Sequence, residues 1–205
     1  MDKRDILLVG IIEKEPYTID IIRILLNSFD YLLSYTNERG NIIILSKGTR
    51  DLIVISMAPR EAKDFKEIGL DFNFLVVNII GKDFKTEDLL ECEFRDCDYY
   101  ILNSDEDNIS FLAPDNLEGI VITYGFNSKA TMTISSFSME QGIEASLCLQ
   151  REIVSLNGER VMSSEFIIEI DFKKKDYIYS ALAAFILAMI LGEDIQSKKT
   201  LQITK

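Results

Sequence analysis

Apolar runs rich in β-branched residues alternate with amphipathic stretches through the first 125 positions of the chain. The runs ILLVGI (6–11), NIIIL (41–45), LIVISM (52–57), FNFLVVNII (72–80), YYILN (99–103) and GIVITYG (119–125) predict strands, most of them buried on both faces. Helical patterns lie between them at 18–29, 60–68, 85–91 and 105–112; in the first, Ile19, Ile22, Leu25 and Leu26 share one face. Strands that alternate with helices predict right-handed βαβ units. The expected fold is therefore α/β, a doubly wound, mostly parallel sheet with helices on both faces.

Beyond position 125 the texture changes. Segments 129–139, 143–156 and 163–170 alternate apolar and polar residues, and Asn157-Gly158 between two such runs is a strong hairpin signal. They predict a small antiparallel β subsheet over about 129–170, at the edge of the main one. The 14-residue apolar run 178–191 stops at Gly192, a residue suited to end a helix, and predicts a C-terminal core helix. It falls short of the roughly 20 residues that cross a membrane. No stretch rich in Pro, Gly or Ser and no repeat divides the 205 residues, so one domain over 1–205 is expected.

Charge narrows the function. The chain carries a formal net charge of −12 and a pI near 4.5, with its acids scattered. Nucleic acid is not an expected partner, since its phosphates require a clustered basic surface. The one basic cluster, Lys173-Lys174-Lys175, is flanked by Asp171 and Asp176 and suits a solvated turn before a helix. Cys92, Cys97 and Cys148 form no metal or disulfide spacing. Histidine is absent, which removes the commonest general base near neutral pH and the usual zinc ligand. No catalytic residue and no metal site is predicted. The N-terminus turns polar too soon for a signal peptide, and a soluble cytoplasmic protein is the expectation.

In a parallel α/β sheet, ligands sit at the carboxyl ends of the strands, so the informative residues are those ending the runs above. In their order, FNFLVVNII, DYYILNSDED, GIVITYG and SALAAFILAMILGED resemble the central ATP-binding domain of the Mur ligase and folylpolyglutamate synthetase family, over about residues 6–194. Members of that family join an amino acid to a carboxylate through an acyl phosphate made from ATP. They also carry N- and C-terminal domains, for which 205 residues leave no room.

Residue by residue, the resemblance implies a scaffold stripped of its chemistry. Against the family's glycine-rich phosphate loop stands Gly10-Ile11-Ile12-Glu13-Lys14-Glu15-Pro16, where Gly10 and Lys14 match. The second glycine has become Glu13, and the magnesium-binding hydroxyl has become Glu15. A carboxylate ~4 Å from a phosphate charge costs about 4 kcal/mol at an effective dielectric of about 20. Ser56, Met57 and Ala58 stand where the family has a glutamate; Asn78 and Ile79 match a family strand end whose acid-histidine pair is here Lys82-Asp83. The 25 positions from Asn78 to Asn103 are too few to hold the family's modified lysine. Asn103-Ser104-Asp105-Glu106 keeps another strand-end motif, although Ser104 or Asp105 also suits a helix cap. Ala181, Leu182, Ala183 and Ala184 keep the final helix, but Asp176-Tyr177 and Ser180 replace its polar residues.

The resemblance thus implies a vestigial nucleotide cleft formed by Gly10, Lys14, Asn78, Asn103 and Asp105. The expected function is that of a non-catalytic Mur ligase-like domain, a pseudoenzyme without cofactor. It would act on a protein partner or as a homo-oligomer, in a regulatory role tied to peptidoglycan or amino-acid ligation. Two other readings stay open. One is an amino-acid ligase subunit that binds ATP and Mg2+ weakly through Lys14, Asn103 and Asp105 and is completed by another chain. In the other, a cleft made acidic by Glu13, Glu15 and Asp83 holds a cation or an amino acid.

Overall fold

Eleven strands form one mixed sheet whose middle is parallel, in a computed structural model that describes residues 4–79, 97–106, 118–140, 142–171, 174–197 and 200–203. In chain order the elements are β1 (Asp5–Glu13), α1 (Tyr17–Asn27), β2 (Leu32–Thr36), β3 (Ile42–Lys47), β4 (Arg50–Met57), α2 (Pro59–Glu67), β5 (Phe74–Asn78), β6 (Tyr99–Asn103) and β7 (Ile120–Tyr124). There follow β8 (Met132–Ser138), β9 (Ile143–Leu149), β10 (Ile153–Val154), β11 (Arg160–Val161), β12 (Ser164–Ile170), α3 (Asp176–Ile190) and β13 (Thr200–Ile203). The sheet runs β13-β12-β9-β8-β7-β6-β5-β1-β4-β3-β2, with β10 and β11 forming a separate pair.

The parallel block β7-β6-β5-β1-β4 is the region predicted from the unbroken apolar runs. Every residue of β5 and β6 is buried, because helices cover both faces there. One core lies beneath α1 and α3; the other lies beneath α2 and gathers Phe72, Tyr100 and Leu102. Helix α3 is apolar all round and buried from Ile178 to Ile190, as a central helix must be. It ends as expected. Gly192 takes φ +88°, its N–H reaches Met189 O, and the Glu193 N–H reaches Ala188 O, which satisfies two of the last carbonyls.

Two expectations are corrected. The runs at 41–45 and 52–57 are consecutive antiparallel strands, since the two-residue link Gly48-Thr49 between Lys47 and Arg50 is far too short for a parallel crossover. Strand β2, pairing antiparallel with β3, was not anticipated: all its residues are exposed, so it lacks alternation. The antiparallel strands β8, β9 and β12 lie at the edge of the main sheet, as expected for residues 129–170, and β8 joins β7 at Tyr124 and Met132, so the sheet continues through them. The Asn157-Gly158 hairpin is present between β10 and β11 with Gly158 at φ +80°. The helix expected at 85–91 lies outside the described residues, as does all of the one at 105–112 except Asp105 and Glu106, which are in a turn.

Candidate functional site

The carboxyl ends of β1, β4, β5, β6 and β7 bring together Glu13, Ser56, Asn78, Asn103 and Tyr124. Glu13, the last residue of β1 and the register partner of Asn78, is 3% exposed. Only Lys14, Glu15 and Pro16 separate it from α1. Its carboxylate folds back onto the helix start, accepting the Thr18 N–H at 2.8 Å on Oε2 and the Ser56 hydroxyl at 2.7 Å on Oε1. Pro16 supplies no side-chain cap, so Glu13 takes that role from inside the strand. Burial pushes its pKa up to about 7, and hydrogen bonds from Ser56 and Thr18 only partly offset that.

A polar chain runs on from Glu13 through the core. The Asn78 amide donates to Thr18 Oγ1 at 2.7 Å and to Ser180 Oγ at 3.1 Å, and the Tyr124 hydroxyl lies 3.1 Å from Asn78 Oδ1 and 2.9 Å from the Val77 carbonyl. Thr18, Asn78 and Ser180 are all buried, and Tyr124 is fully so. The network ties β1, β4, β5, β7, α1 and α3 together at the carboxyl ends of the parallel strands.

A second centre is Asp105. Its carboxylate accepts the Phe126 N–H at 2.6 Å, the Asn127 N–H at 3.1 Å, the Asn127 amide at 2.8 Å and the Tyr179 hydroxyl at 3.0 Å. These bonds hold its pKa below the ordinary carboxylate value against the opposing effect of burial. Asn103 spans the link from β6, donating to Ile79 O at 3.3 Å and accepting the Asp105 N–H at 3.1 Å. At the rim, Tyr17 and Tyr177 lie 4.6 Å apart by ring centroid, Lys174 Nζ lies 2.7 Å from the Tyr17 hydroxyl, and Lys175 lies over Phe126.

The five sequence candidates therefore fall into different places. Asn78, Asn103 and Asp105 share the strand ends. Lys14 is exposed in the turn, and Gly10 is in mid-strand, paired with Ile55 and Leu75, not in a loop. Four residues of extended chain put roughly 13 Å between Gly10 and Lys14. A side chain at Gly10 would meet the Phe72 ring at 3.1 Å, so its small size serves packing. Gly10→Ala is expected to cost about 1–2 kcal/mol. In a double-mutant cycle with Phe72→Leu, urea unfolding should show coupling of about 1 kcal/mol; simple additivity would mean that Phe72 is not what Gly10 accommodates.

Thr18, Tyr124, Asn127, Tyr179 and Ser180 were missed. Ser180 carried a usable signal, a lone hydroxyl inside an apolar helix; Asn127 carried none, since only the β7 turn brings it to Asp105. Lys82 and Asp83 lie outside the described residues.

The helix start is occupied by a carboxylate, and β1 pairing continues through Glu13. Among the described residues no three Asp, Glu or Cys gather as a metal group.

No family model matches the sequence, and no curated protein matches it. Solved structures match in fold. UDP-N-acetylmuramate-alanine ligase MurC from Thermotoga maritima is 18% identical at a TM-score of 0.56, over 94% of this chain and 43% of its own. The MurF ligase of Thermotoga maritima, solved in complex with ADP, is 14% identical at 0.62, over 96% and 48%. A pseudomurein peptide ligase type C from Methanothermus fervidus is 14% identical at 0.57, over 96% and 48%. The chain thus spans less than half the length of these ligases, and at such identities the likeness is one of fold.

Proposed function

We propose that this chain, built on the fold of a Mur ligase central domain, is a non-catalytic relative whose phosphate position is filled by its own Glu13, and that it works through its surface as a partner-binding or regulatory domain. The observation that carries this reading is the Glu13 carboxylate bound to the Thr18 N–H at the start of α1. A helix start with free N–H groups attracts an anion; one already holding a buried carboxylate repels it. A phosphate at this position would have to displace Glu13 from the Thr18 N–H and the Ser56 hydroxyl, leaving a buried carboxyl without those bonds. Among the described residues nothing at the strand ends supplies a compensating glycine-rich turn, and Pro16 lacks the N–H that such a turn would offer.

Isothermal titration with ATP at millimolar concentration, with and without magnesium, should show no saturable heat for the natural chain. The double variant Glu13→Gly, Glu15→Thr should behave the same way, since the backbone is committed to β1 up to residue 13 and has only three residues left to turn. Saturable, magnesium-dependent binding by the natural chain would overturn the proposal and favour a ligase subunit completed by another chain.

A further inference from the structure

We infer that a cleft at the amino-terminal end of the parallel strands binds a small zwitterion, a free α-amino acid. Asp5, which lines it, and Glu13 stand at opposite ends of β1, about 26 Å apart, so the cleft is separate from the strand-end network. Three connections shape it. Helix α1 returns to the sheet through Asp30, at φ +66°, and Tyr31; β3 turns into β4 at Gly48-Thr49; and α3 stops at Gly192. They leave a cleft of about 430 Å3, a volume suited to a small molecule.

Tyr31 is the observation that points to a ligand. It is 0% exposed, and its hydroxyl is the one buried side-chain polar atom that has no hydrogen-bond partner among the described residues. A buried hydroxyl left unbonded is costly, and phenylalanine would fill the same space without that cost. Burial raises its pKa, so it stays a neutral O–H donor. Arg50 and Glu193, which act on its ionisation in opposite senses, both line the cleft and place the hydroxyl toward it.

The charged groups decide what the cleft takes. Lys47 and Arg50 are matched in number by Asp5 and Glu193. Glu193 holds Lys47 at 2.7 Å, and Arg50 donates to the Leu191 carbonyl at 2.9 Å, whereas Asp5 stands 3.8 Å from Arg50 Nε, beyond hydrogen-bond distance. Donors of the guanidinium are therefore left over, beside the Tyr31 O–H, and a carboxylate is the acceptor that fits both. A bare anion would be opposed by the −12 charge of the chain, and a bare cation would leave those donors unanswered. A zwitterion meets neither objection: its carboxylate faces Arg50 and Tyr31, and its ammonium faces the exposed Asp5.

Calorimetric titration and thermal melting with glycine, L-alanine, L-glutamate and L-lysine test this, with acetate and ethylamine as the single-charge controls. At least one amino acid should bind saturably with a dissociation constant on the order of 1 mM and raise the melting temperature, while both controls bind at least about tenfold more weakly. Tyr31→Phe should weaken that binding at least about fivefold and yet raise the melting temperature of the free protein by about 2–4 °C, because the orphan hydroxyl is gone. A purely structural tyrosine would not give that opposition of signs. Arg50→Lys, which keeps the charge and loses the planar fork, should weaken binding about tenfold. Lys14→Ala, at the strand ends, should leave it unchanged. Absence of saturation by every amino acid up to about 20 mM overturns the inference. So does acetate binding as tightly as the amino acids, or binding that Tyr31→Phe leaves intact.

Discussion

Replacing Glu13 with glutamine is expected to remove a pH-dependent loss of stability of about 3 kcal/mol between pH 4 and pH 8. In the folded protein the Glu13 carboxyl is held near 7, against an ordinary 4.5. Between those values the native state keeps a proton that the unfolded chain has released, so stability falls as pH rises through the window. The loss begins near 4.5, is complete above 7, and approaches the free-energy equivalent of the difference in pKa, about 3 kcal/mol. Glutamine has no such titration. The variant's melting temperature should therefore gain on the natural chain by about 6–12 °C from pH 4 to pH 8, at roughly 2–4 °C per kcal/mol for a domain of this size. The repulsion within a chain of net charge −12 also weakens it at high pH, but acts on both proteins and largely cancels in the difference. Parallel melting curves across the window would mean that Glu13 is ionised in the fold at low pH, and the account of a buried, nearly neutral carboxyl would fail.

Asp105→Ala is expected to destabilise the protein by about 3 kcal/mol at pH 7. Four donors converge on that carboxylate, from Phe126, twice from Asn127, and from Tyr179, joining the β7 turn to α3. Hydrogen bonds to a charged acceptor contribute about 1.5–3 kcal/mol each when removed singly, but they share one group, so the sum is much smaller than four times that. Asp105→Asn keeps an acceptor and should recover part of the loss. The folded pKa lies below the ordinary 3.8, so this stabilisation is fully present above 3.8 and disappears as pH falls through the lower folded value. Urea unfolding of both variants provides the measurement. A loss under 1 kcal/mol would show that Asp105 is poised for a ligand and not for the fold.

Both results concern residues whose meaning the sequence left open. Glu13 read as an obstacle to phosphate, and its position in β1 turned that obstacle into a helix cap. Asp105 read either as a nucleotide residue or as the cap of a following helix; the structure makes it the acceptor of a turn 21 positions away, at Phe126. Neither the Ser56 hydroxyl on Glu13 nor the Phe126 N–H on Asp105 follows from spacing, because each bond joins elements that meet only after the sheet has formed.

The parallel centre of the sheet and the core helix α3 were legible in the chain itself. Unbroken β-branched runs such as FLVVN and an alanine-rich apolar run ended by Gly192 are stable only when buried on every side, and burial on every side fixes where they go. What the sequence could not decide was whatever depends on the neighbours of a strand. The exposed edge β2 has no hydrophobic signature, and the direction of β3 rests on a two-residue link. Gly10 marks the place where Phe72 crosses β1. The network from Glu13 to Tyr124 joins residues up to 162 positions apart, Thr18 and Ser180 among them, and exists because α1 and α3 pack side by side over the strand ends. Local pattern determines which segments must be buried. Only tertiary packing determines which polar groups are buried with them, since each must find its partner across the fold.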